Sequence, residues 1–155
     1  MDVTGLATSL EDHESASVGQ LSIPFASLRA QVVMKAISYL DRRARGTNHD
    51  VIDFVWVLRN YGEGKDDTRV FDDVSDVIIA NEVESHAYGA LLLGHDLREY
   101  PADLLGPVRV VLGELITEMS VAVRDVRPST SSVLADRFDM EVHQLAQAAL
   151  WGLEH

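Results

Sequence analysis

The chain has 155 residues, 46% of them apolar and 25% charged, which is the composition of an ordinary globular domain large enough to bury a core. Twenty-five acidic against thirteen basic side chains leave a net charge of −12, so nucleic acid and anionic membrane surfaces are disfavoured as partners. Cysteine is absent, which excludes disulfides, thiolate metal sites, iron–sulfur clusters and cysteine nucleophiles.

Residues 1–20 are polar, small and acidic without a sustained period, and they read as a flexible leader. Asp2, Glu11, Asp12 and Glu14 stand where a secretory signal needs positive charge and an apolar stretch, and no apolar run approaches the roughly 20 residues of a membrane span. A cytoplasmic protein is expected. Residues 21–152 are expected to fold as one helical domain. Leu153-Glu154-His155 reads as the remnant of a cloning tag, so His155 carries no functional argument.

Apolar spacing favours helices throughout the middle of the chain. Residues 24–45 open on Pro24 and repeat Phe25, Val32, Val33, Ala36, Ile37, Leu40 and Ala44 as one stripe, stopped by Gly46. Residues 50–61 place Val51, Phe54, Val55 and Leu58 on one face; the β-branched content also allows a strand, but the spacing prefers a helix. After the break at residues 62–67, in which Asp66 or Asp67 is a candidate cap, a helical region runs from Thr68 to Tyr100. Its apolar face switches partway, so either it breaks near Ile79 to Asn81 or it is buried on two sides. The glycines and leucines around Tyr88 to Leu93 suit close helix packing. Pro101 ends that region, and Asp103 is the expected cap of a helix to about Val126, with Leu104, Leu105, Val108, Val111, Leu112 and Leu115 on its stripe. A last helix, about 131–151, carries Leu134, Phe138, Val142, Leu145 and Ala149 on one face and Val133, Met140 and Trp151 on another.

The elements add up to an all-α, single-domain bundle of five to six helices. The second apolar face of the last helix predicts a dimer, with Val133, Met140 and Trp151 at its interface.

Three constellations have the residue types for chemistry. Glu82 and His86, Glu114 and Glu118, and Asp139 and His143 are i, i+4 pairs, which project together from a helix. Glu82, His86, Asp139 and His143 are therefore candidate ligands for iron, manganese or zinc, although the Glu-x-x-His spacing of carboxylate-bridged metal bundles is absent. The acidic run Asp66, Asp67, Asp72, Asp73 and Asp76 complements a helix N-terminus and lacks the alternating ligands of a calcium loop. The spacing Arg43-x(5)-His49 resembles the Arg-x(4–6)-His element of the HEPN helical ribonucleases, with Ala44 where that family has a polar residue. The resemblance covers seven residues and implies RNA cleavage by the Arg43 and His49 pair.

No phosphate-binding glycine loop, nucleophile elbow or zinc-protease motif is present. The expectation is an acidic interaction or regulatory module without a cofactor, rather than an enzyme. Its charge would steer it toward a basic protein, in the manner of an immunity or antitoxin protein, and its apolar stripe would join it to a copy of itself. The metal-binding bundle and the ribonuclease are the alternatives.

Overall fold

In a computed structural model, the structure describes residues 11–43, 49–62, 68–117 and 132–155, the side chains of 132–135 excepted. The chain opens with a β-hairpin of β1 (His13–Val18) and β2 (Leu21–Ala26), paired antiparallel from His13 opposite Ala26 to Val18 opposite Leu21. Helices follow: α1 (Leu28–Arg42), α2 (His49–Asn60), α3 (Arg69–Asp73), α4 (Ser75–Asn81), a 3-10 turn at Ser85–Ala87, α5 (Tyr88–Leu97), α6 (Ala102–Ile116) and α7 (Ser132–Glu154). The architecture is predominantly helical, and α2 resolves the choice over residues 50–61 in favour of a helix.

The hairpin corrects two expectations. His13–Val18 belongs to the stretch read as a flexible leader, and Pro24 and Phe25 lie in β2 rather than in a first helical turn. The local chemistry explains this. Gly19 adopts φ 65°, and a glycine at the first position of a two-residue loop makes the tight turn whose twist suits paired strands. Helix α1 starts only after Ser27, whose hydroxyl caps it by accepting from the Ala30 amide at 3.1 Å.

The Thr68 to Tyr100 region both breaks and is buried on two sides. Glu82 terminates α4 in the left-handed conformation, φ 51°, with its amide donating to the Ile78 carbonyl. Beyond the 3-10 turn, α5 buries Ala90 to Gly94 and Leu97, and it lies between α7 on one side and α2 and α3 on the other. Two glycines make its crossing with α7 possible. A Cβ on Gly94 would stand 2.0 Å from the Ala149 carbonyl oxygen, and one on Gly152 would stand 2.0 Å from that of Leu91. These helices therefore touch backbone to backbone.

Helix α6 begins at Ala102 behind Pro101, so Asp103 lies in the first turn rather than at the cap, where its charge still suits the helix dipole. It ends at Ile116, and residues 118–131, which include the expected continuation to Val126, lie outside the described residues, as do Asp66 and Asp67. Helix α7 runs to Glu154, with Leu153 buried in the core and Glu154 and His155 exposed. One apolar core joins α1, α2, α5, α6 and α7, from Val32 to Leu153. Among the described residues no helix is long and apolar enough to cross a membrane.

Candidate functional site

The expected metal ligands do not converge as the i, i+4 pattern predicts. Glu82 ends α4 in a left-handed turn, so it and His86 do not share a helix, and the His86 ring faces Glu84 at 3.5 Å. On α7 the His143 Nδ1 lies 2.9 Å from the Ile116 carbonyl, a bond that ties α7 to the end of α6. Glu82 and His143 do line one cleft of about 240 Å³, with Glu84, Gln144 and Trp151, whereas His86 and Asp139 are not part of its wall. Among the described residues no group of three or more His, Asp or Glu side chains is placed to hold a metal ion.

The expected interface on α7 divides in the same way. Met140 is 59% exposed, but Trp151 is half-buried against the core and lines that cleft, and the side chain of Val133 lies outside the described residues. Of the ribonuclease pair, Arg43 is bound by Glu114 of α6, which also accepts from the Tyr39 hydroxyl at 3.1 Å. His49 opens α2 on the surface, and residues 44–48 between them lie outside the described residues.

Two charged clusters escaped the sequence reading. In the first, Asp50 is only 5% exposed although it is ionisable. Lys35 donates to it at 3.3 Å and to Asp53 at 2.5 Å, and Arg42 donates to its other oxygen at 3.2 Å. The Asp53 carboxylate and then Asp50 hold the Lys35 ammonium above the ordinary lysine range, against the effect of its partial burial. The cluster fastens α1 to α2 with each buried oxygen satisfied. A signal for it exists in the sequence: Asp50 is in helical register with Phe54, Val57 and Leu58, all buried.

The second cluster anchors the hairpin. Asp12 accepts from the Ser27 hydroxyl at 2.6 Å, from Arg29 at 3.3 Å and from the Tyr100 hydroxyl, while its carbonyl accepts from the Ser27 amide at 3.1 Å. Arg29 reaches on to Glu99 at 2.6 Å. Burial raises the Asp12 pKa, but the bonds from Ser27 and Tyr100 and the Arg29 charge outweigh it and leave the carboxyl below the usual aspartate value. Beside it, Asp96 accepts from Tyr61 at 2.6 Å and Arg69 at 3.0 Å. Burial first, and the neighbouring carboxylate second, push the Tyr61 and Tyr100 phenols upward. A cleft of about 310 Å³ separates the two groups, with Arg29 and Arg69 in its wall. Both arginines are engaged by carboxylates and both phenols are held as donors, so this is an anchor with its valences used rather than a reactive centre.

Helix α2 also carries an exposed apolar feature. On the outer face of α2, Trp56 is 57% exposed and Ile52, one turn earlier, is exposed beside it. Asp53 lies between them in sequence, and the Arg59 to Glu141 ion pair at 2.8 Å joins the same helix to α7. No family model matches this chain, and no curated protein or solved structure matches it.

Proposed function

We propose that the chain is an acidic helical interaction module that binds and neutralises a basic protein in the cytoplasm, with the outer face of α2 as its docking ridge. The observation that carries the reading is Trp56. A large aromatic side chain left in water, with Ile52 exposed one turn earlier on the same face, is the residue type that anchors protein interfaces. The net charge of −12 supplies the second support, because it accelerates encounter with a cationic partner and repels polyanions. The lack of cysteine suits a reducing compartment. The metal and ribonuclease readings have less support, since His86 and Asp139 stand apart from the Glu82 and His143 cleft and Arg43 is already bound by Glu114.

Binding of the basic protein recovered by cross-linking in cells, measured by titration against purified wild type and Trp56→Ala, tests this. The expected result is a loss of more than about tenfold in affinity for the variant, at unchanged helicity. A partner that is not basic, or one indifferent to Trp56→Ala, overturns the reading.

A further inference from the structure

The hairpin presents an apolar face that stays exposed among the described residues. Its register puts Ala16, Val18, Leu21, Ile23 and Phe25 together on one side, with Glu14 at the root, and His13, Ser15, Ser17, Ser22, Pro24 and Ala26 on the other. Exposure on the apolar side rises outward from 43% at Phe25 through 48% at Ile23 to 69% at Leu21, and Val18 opposite Leu21 is 61% exposed. The face thus projects away from the bundle toward its tip. A two-stranded hairpin is marginal in water unless an apolar face is packed on something.

We infer that this face is the interface with a second copy of the chain, two hairpins stacking their apolar sides across a two-fold axis. The occupant follows from charge. Residues 15–28 contain no ionisable side chain, in a chain that elsewhere carries 25 acidic groups. Two copies meet here without the repulsion that a net charge of −12 imposes over the rest of the surface. A basic partner gains nothing from an uncharged face, which separates this surface from the α2 ridge. The geometry also selects stacking over strand addition at β2. Alternation from the two-residue turn puts Pro24 in a pair whose backbone nitrogens point outward, so the free edge of β2 lacks a donor at its centre. Identical apolar faces satisfy the self-complementarity of an isologous contact and convert two exposed hairpins into a layered four-stranded unit.

The inference is independent of the α2 reading, and its test separates the two. Sedimentation equilibrium of the full chain, from low micromolar to submillimolar concentration, is expected to show a mass approaching twice the 17.1 kDa of one chain. Leu21→Lys combined with Ile23→Lys is expected to weaken self-association by more than about tenfold, with helical circular dichroism retained because both residues lie outside the core. Ile23→Thr, which keeps strand propensity, reads the same face if the lysines disturb the hairpin, and is expected to weaken the dimer in the same direction. Trp56→Ala is expected to leave the dimer intact. A wild-type chain that stays at single mass throughout, or a dimer indifferent to the hairpin variants, overturns the inference; a foreign protein bound at the hairpin of a monomeric chain does so as well.

Discussion

Gly94 and Gly152 show how much a single hydrogen atom decides. Each stands where a methyl group would meet a carbonyl oxygen of the facing helix at 2.0 Å, and the atom met is backbone, which has little room to yield. Gly94→Ala is expected to cost roughly 1–3 kcal/mol by forcing α5 and α7 apart, seen as a lower midpoint in urea denaturation with the slope unchanged. The intrinsic helix preference of alanine works the other way by about 1 kcal/mol, so a stabilised variant would show that the two helices yield at this crossing. Asp50 is the polar counterpart. It sits on the buried stripe of α2 because Lys35 and Arg42 accompany it, and its charge is compensated where its position alone would make it costly.

At the scale of elements, the hairpin is held by chemistry that depends on pH. The Asp12 carboxyl is depressed below its ordinary 3.8, so its contribution to the anchor is present above that value and is lost as pH falls through the lower folded value. Tyr61 and Tyr100 are raised above 10.0, so their neutral, donating form persists past the pH at which a free phenol ionises, and their contribution is lost only as pH rises beyond it. Ultraviolet titration is expected to find Tyr61 and Tyr100 ionising above the ordinary value. In Asp12→Asn, the Tyr100 step is expected to move down toward 10 while the Tyr61 step stays, since Tyr61 donates to Asp96. Ionisation of Tyr61 and Tyr100 at the ordinary phenol value would show that the anchor is open in solution. The same contacts explain why a leader-like sequence pairs as a strand: Asp12 and Ser27 close the hairpin root onto α1 and Tyr100.

At the scale of the whole molecule, charge and apolar surface pull association in opposite directions. Added salt screens the mutual repulsion of two acidic chains and also screens their attraction for a basic protein. Raising ionic strength is therefore expected to tighten the hairpin-mediated dimer and weaken the complex with a cationic partner, read by sedimentation and by titration on the same preparation. Parallel trends in both would mean that one surface serves both contacts. Among the described residues the buried ion pairs use only a fraction of the acid, and most acidic side chains are on the outside.

The helical class was legible in the sequence because amphipathic spacing repeats locally: Val51, Phe54, Val55 and Leu58 fall on one face whatever they pack against, and all four are buried. The stripe from Leu104 to Leu115 was legible for the same reason. The switch of apolar face before Asn81 allowed either a break or two-sided burial, and only the structure shows that Glu82 takes a left-handed conformation and so separates the side chains of an apparent i, i+4 ligand pair. The hairpin was not legible as such, since its alternation spans two short strands, the first within a stretch whose composition reads as a leader and the second running into the apolar stripe read as the first helix. Nor were the anchors, because Asp12 meets Tyr100 and Arg43 meets Glu114 across 88 and 71 positions of chain. Local periodicity determines which residues turn toward a core. Which carboxylate finds which cation, and whether Trp151 or Trp56 faces water, is decided when distant elements pack, because those energies exist only between groups that the chain itself does not keep adjacent.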